Sequence, residues 1–357
     1  MTDLSSVLIA AGRPTEEYLS PDGSRLVLLP HGGRVLGMFA PGSDKNFFWT
    51  HPDLDFRESA EAFYQNANWH NSGGDRTWLA PEVDVCFPDY PDTTVYQVPA
   101  EMDPGNYSVV RTGETLGMQS RFSLVLSRSH AKVCGCITKS WGPAANPLQH
   151  EFFWKPLTDV VYAGYTQQTS LELLTTSKPA QLGLWNLLAL PKGGEMLIST
   201  FHRTDPKVYS GPIDPSDLIV TDHLVRFRMG ETGIQKIGIP AISSTGRMGA
   251  LYPHGDGWAL VVRNFTVNPS GVYIDVPWQE PMSSGDFVYS TQACRINDSL
   301  GTYCELEYHA TAIGMGTNQV HCDDTSQVWA FHGSKDSMEQ IARLLIAADL
   351  SSHSKAK

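Results

Sequence analysis

The 357-residue chain carries 38 Asp and Glu against 26 Lys and Arg, a formal net charge of -12, with 41% hydrophobic and 18% charged residues. That acidic balance argues against nucleic acid as a partner, because phosphate binding needs clustered Lys and Arg. The apolar share is too high for a disordered chain, and 31 Gly with 23 Pro imply many turns between short strands.

The N-terminal run MTDLSSVLIAAGRPTEEY starts acidic and has only a short apolar stretch. It lacks the basic n-region and long h-region of a secretory signal. No apolar run reaches membrane-spanning length, and no basic amphipathic stretch suits a membrane surface. The chain therefore reads as cytoplasmic, with no membrane partner. Alternation and turn residues predict strands over 24–30, 34–40 and 46–51, then a short helix over 58–67. The run 68–90 reads as irregular. Strands follow at 106–112, 118–127, 132–140, 159–165, 169–176, 183–190, 195–200 and 222–229. More are expected at 247–253, 257–267, 271–277, 286–294, 302–312 and 326–333.

The C-terminal run 334–350 has the one strong helical stripe, Met338, Ile341, Leu345 and Ala348, with Ser334 or Asp336 as cap. So many strands with so few helices disfavour a parallel α/β fold, whose parallel pairs need crossovers. A large antiparallel β-sandwich fits, as one domain over 1–357 with its core at about 20–333 and a helix at 334–350. The six cysteines show no disulfide framework, and Cys134 and Cys136 fall on one side of a strand.

Two stretches carry candidate chemistry. In TYCELEYHATA (302–312), period-two alternation puts Tyr303, Glu305, Glu307 and His309 on one face, and Cys304, Leu306, Tyr308 and Ala310 on the other, apolar face. Two carboxylates and an imidazole in a row suit acid–base work, since close carboxylates repel and one pKa rises. They equally suit a solvated outer face. In WHNSGGDRTWLAPE (69–82), Gly73 and Gly74 allow backbone shapes closed to other residues. Asp75 and Arg76 offer hydrogen bonds, and Trp69 and Trp78 flat apolar faces, the mixture that binds sugars. The alternative is a loop packed by its own Trp residues. His31 with Arg34, His150 with Glu151, His202–Asp205 and HCDD (321–324) are weaker candidates. HExxH, P-loop, Gly-x-Ser-x-Gly and dinucleotide-binding patterns are missing, which leaves metalloprotease, nucleotide-hydrolase, α/β-hydrolase and dinucleotide-binding readings without support. Glu305, Glu307 and His309 are also of the types that hold a metal, but the expectation is no cofactor and no metal.

The segments HGGRVLGMF, FFWTHP and HNSGGDRTWLAPE, followed by LWNLLALPKGGEMLIST, KIGIPAISSTGRMGALY and LVVRNFTVNPSGVYIDVP, resemble uncharacterised families related to the aldose 1-epimerases, the galactose mutarotase-like group. The resemblance spans roughly 25–315. It implies a β-supersandwich with a carbohydrate cleft on one large sheet. In those epimerases a His protonates the ring oxygen and a Glu takes the anomeric proton. By position that Glu corresponds to Glu305 or Glu307. The family's His-containing run has its nearest counterpart in QHEFFWK, too distant to assign His150. In the hexose-phosphate branch an Arg precedes two glycines, whereas here Arg76 follows them.

The expectation is thus a carbohydrate-active enzyme, an aldose epimerase-like isomerase. Glu307 or Glu305 would be the base, His309 or His70 the acid, and Asp75, Arg76, Trp78, Glu82 and Arg34 would bind the sugar. The alternatives are a polysaccharide lyase or glycosidase on the same fold, or a non-catalytic carbohydrate-binding protein. The expected partner is a small or oligomeric carbohydrate.

Overall fold

The computed structural model describes residues 3–66, 68–113, 115–149, 157, 159–229, 233–278, 289–348 and 350. Two ten-stranded antiparallel sheets pack face to face. The first runs β1 (Glu16–Leu19), β2 (Arg25–Leu29), β3 (Arg34–Phe39), β4 (Asp75–Ala80), β9 (Gln181–Pro191), β18 (Gly301–His309), β17 (Tyr289–Asp298), β14 (Gly233–Pro240) and β11 (Lys207–Ser210), with β19 (Ile313–Gly314) also beside β9. The second runs β12 (Leu218–Val220), β13 (Leu224–Arg228), β10 (Glu195–Thr200), β15 (Ser244–His254), β16 (Gly257–Phe265), β20 (His321–Gly333), β8 (Val161–Thr176), β7 (Lys132–Pro143), β6 (Thr115–Val125) and β5 (Ser108–Thr112). This is the large antiparallel sandwich expected from the strand pattern.

Alternation explains the layering. Leu188 and Leu190 of β9, Cys304, Leu306 and Tyr308 of β18, and Ile237 of β14 turn inward. They meet Met196, Met248, Val261 and Val328 of the second sheet in one core. Burying an aliphatic side chain of this size is worth roughly 1.5–3 kcal/mol. The helix α4 (Lys335–Ile346) begins at Ser334, whose side chain accepts from Ser337 N–H. Its stripe of Met338, Ile341, Leu345 and Ala348 packs on Leu197, Leu260, Val262 and Phe331 of the second sheet's outer side. On the first sheet's outer side, α1 (Leu4–Ala10) and α2 (Arg57–Gln65) cover Val27, Leu29 and Leu36.

Three expectations change. Residues 75–80 are not loop but a central, fully buried strand, and its Arg76 is tolerated there because Glu305 pairs with the guanidinium. Residues 271–277 join no ladder; Asp275 holds this segment instead, accepting from Glu82 N–H at 2.8 Å and Gln292 Nε2 at 2.7 Å. Residues 46–51 likewise form no strand, and Asn46 Oδ1 caps the backbone N–H of Met38 at 3.0 Å.

The glycine pair sets the entry to β4. Gly73 and Gly74 have φ of 93° and 70°, and a Cβ on Gly74 would lie 2.3 Å from Val35 O. Gly74→Ala is therefore expected to destabilise the fold by at least about 1–3 kcal/mol, the scale of a non-glycine residue forced into this region, before the clash is added. Urea denaturation of the variant measures it.

Candidate functional site

Strand register builds a polar floor on the outer face of the first sheet. Residues opposite each other in antiparallel strands share a face. One row holds Arg76, Leu187, Glu307 and Gln292. The next holds Ala189, Glu305, Cys294 and Lys236. A third holds Trp78, Trp185 and His309. The short helix α3 (Glu82–Val85) and the 271–278 segment complete the site. Together they line a cavity of about 350 Å³ that includes Arg76, Glu82, Trp185, Lys236, Glu305 and Glu307.

Lys236 is its electrostatic centre. Its Nζ lies 3.1 Å from Glu307 Oε2 and 3.3 Å from Glu82 Oε2, and 4.3 Å from the centre of the Trp185 ring. Burial pulls the Lys236 pKa down, but Glu307, Glu82 and Asp275 outweigh it and hold the ammonium well above its ordinary range. Glu307 Oε2 also accepts from Trp185 Nε1 at 2.8 Å. Burial drives Glu307 upward, Lys236 opposes, and Glu305 and Glu82 add to the rise. The carboxyl is pushed up to about 7. A carboxyl that titrates near neutrality can exchange protons at working pH, the usual property of a catalytic base. Glu305 is held by an ion pair to Arg76, whose guanidinium lies 4.3 Å from the Trp78 ring centre. Glu82 accepts from Trp278 Nε1 at 2.9 Å and Tyr96 Oη at 3.1 Å.

The structure thus brings Glu305, Glu307, Arg76, Trp78 and Glu82 into one cavity. The remaining candidates lie elsewhere. Asp75 points into the core between the sheets, paired with Arg263 at 2.9 Å and accepting from Tyr165 Oη at 2.6 Å. One residue along a strand reverses the face, so Asp75 and Arg76 part company. Arg34 is 1% exposed, with its guanidinium bound to Asn71, Gly73 O and Asp103. It braces the 71–73 turn and does not line the cavity. His70 lines a neighbouring cavity instead.

His309 shares the face of Glu307 but is buried, stacked on Trp185 at 5.8 Å, and is not among the described residues lining the cavity. Burial, reinforced by Lys236, holds its imidazole well below the usual range and so neutral. His150 and Glu151 lie outside the described residues.

Reasoning from sequence missed Lys236, Trp185 and Trp278 as cavity residues. The available signal for Lys236 was a single charge in the otherwise uncharged strand GIQKIGIP. In HCDD, His321 pairs with Asp323 at 3.0 Å on an exposed stretch of β20. Among the described residues no three His, Cys, Asp or Glu side chains are grouped to hold a metal, and no helix is long and apolar enough to cross a membrane.

The architecture matches a galactose mutarotase-like protein from Lactobacillus casei ATCC 334, at 8% identity over 88% of this chain and 99% of that one, with a TM-score of 0.52. It also matches the Slr1438 protein of Synechocystis sp. PCC 6803, at 12% identity over 90% and 96% of the two chains, with a TM-score of 0.51. At such identities the likeness concerns the fold, and it defines the class: a galactose mutarotase-like β-sandwich protein. Within that class the chain belongs to DUF6786, a family of unknown function, whose pattern matches residues 159–357. No curated protein matches the chain.

Proposed function

We propose that the protein is an aldose epimerase-like isomerase acting on a neutral sugar. The observation that carries this reading is Glu307, pushed up to about 7 and set 3.1 Å from the Lys236 ammonium in a tryptophan-lined cavity. Glu307 takes the proton of the anomeric hydroxyl. Lys236 gives a proton to the ring oxygen as the C1–O5 bond breaks. Rotation about C1–C2 and the reverse transfers then close the other anomer. The half-buried Trp278 offers an apolar surface to the C–H face of the ring.

Lysine here replaces the histidine acid expected from sequence. Neither His70 nor His309 is among the described residues lining this cavity. The cavity's charge favours a neutral substrate over a uronate or sugar phosphate. Its carboxylates Glu82, Asp298, Glu305 and Glu307 outnumber Arg76 and Lys236. Both cations are already engaged by carboxylates.

The sign of the pH dependence follows. The base must be ionised, and Glu307 is protonated below its raised pKa, so kcat/KM for anomer interconversion is expected to climb with pH through a midpoint of about 7. A pH–rate profile on a neutral aldose tests the reading. Activity flat between pH 5 and 8, or falling through that range, would remove Glu307 from the role of base.

A further inference from the structure

A second cavity of about 560 Å³ adjoins the first, and Trp69, Tyr96 and Leu300 line both. Its chemistry differs. Asp103 is the one charged residue among its described lining, and it is ion-paired with Arg34. The rest combines flat aromatic surfaces from Phe63 and Tyr64 with neutral hydrogen-bonding groups, notably His31, His70 and Gln97.

One of those polar groups has no partner among the described residues. Trp69 Nε1 is shielded from solvent and has no hydrogen-bond partner among the described residues. The His31 and His70 rings make aromatic contacts to Tyr64 and Phe63, at 5.2 and 5.3 Å. Burial, with help from Arg13, pushes His31 down to about 4, so at neutral pH it offers one donor and one acceptor and no charge. A shielded donor that finds no partner is unfavourable until a ligand supplies one.

From the shared wall, the largely neutral aromatic lining and the partnerless Trp69 Nε1 we infer that the second cavity is a subsite for a second neutral sugar ring, making the preferred substrate a reducing disaccharide or longer oligosaccharide. The inference rests on the function proposed above. Epimerisation needs a free anomeric hydroxyl, so the reducing-end unit occupies the Glu307 cavity. The glycosidic bond then leaves through another hydroxyl, past Trp69, and the next ring lies against Phe63 and Tyr64.

The test compares glucose and galactose with cellobiose, maltose, lactose and melibiose, measuring kcat/KM for anomer interconversion by the full chain. At least one disaccharide is expected to exceed its reducing-end monosaccharide by about tenfold or more, the effect of one or two good hydrogen bonds. His70→Ala and Gln97→Ala are each expected to shrink that ratio towards one. Because the ratio is taken within each variant, partial misfolding cancels. Monosaccharide turnover with no disaccharide preference, or a preference that survives both variants, would overturn the subsite alone. No turnover of any of the six sugars would overturn the subsite and the proposed function together.

Discussion

Glu307→Gln is expected to lower kcat for anomer interconversion by roughly a hundredfold to ten-thousandfold, the usual contribution of a positioned general base. The amide keeps the size of the carboxyl and can still accept from Trp185 Nε1, which lies 2.8 Å from Glu307 Oε2. It cannot take a proton. Lys236 keeps Glu82 as an ion-pair partner at 3.3 Å, so the cavity does not lose all its compensation. Stability supplies an independent readout. Glu307 has its folded pKa raised from an ordinary 4.5 to about 7. Its contribution is fully present below the ordinary value and is lost as pH rises through about 7. The wild type should therefore lose stability relative to the variant across that window. Proton NMR exchange between anomers measures the first effect, and urea denaturation at pH 5 and pH 8 the second. A variant with full turnover would sink the assignment.

Asp75→Asn is expected to act entirely on stability. Asp75 and Arg263 are both 0% exposed, joined by contacts of 2.9 and 3.2 Å, and Tyr165 Oη donates to the same carboxylate at 2.6 Å. Removing one partner of a buried pair leaves the other charge uncompensated, at a cost of about 3–5 kcal/mol. The folded fraction should keep the wild-type KM for sugar, because Asp75 faces the core and not the cavity. A raised KM with unchanged stability would return Asp75 to the role first expected of it. Urea denaturation beside a kinetic assay separates the two.

The contrast between these residues shows what the sequence could disclose. Alternation along TYCELEYHATA separated Glu305 and Glu307 from Cys304, Leu306 and Tyr308, and the structure has the same division of faces. Gly73 and Gly74 announced an unusual backbone, and both have positive φ. The stripe before the C-terminus and its Ser334 cap were equally direct. These features are local, with their cause and effect within a few residues.

The cavity as a whole is not local. Glu82, Lys236 and Glu307 meet only because β14, β17, β18 and β9 lie side by side and α3 is tied to Asp275. That strand order, which interleaves distant parts of the chain, cannot be read from periodicity. Reading 69–82 as one irregular loop hid the alternation within 75–80. Asp75 and Arg76 were thus grouped although the strand sends them to opposite sides.

The most direct test of the central claim, that the Glu307–Lys236 cavity binds a neutral sugar for anomer exchange, is a crystal structure of the Glu307→Gln variant soaked with a mixture of neutral aldoses. The expected result is a pyranose ring against Trp278, with its anomeric hydroxyl at the substituted amide and its ring oxygen facing Lys236. A cavity without sugar density at saturating concentration, or a ring bound with its anomeric carbon turned away from that amide, would contradict it.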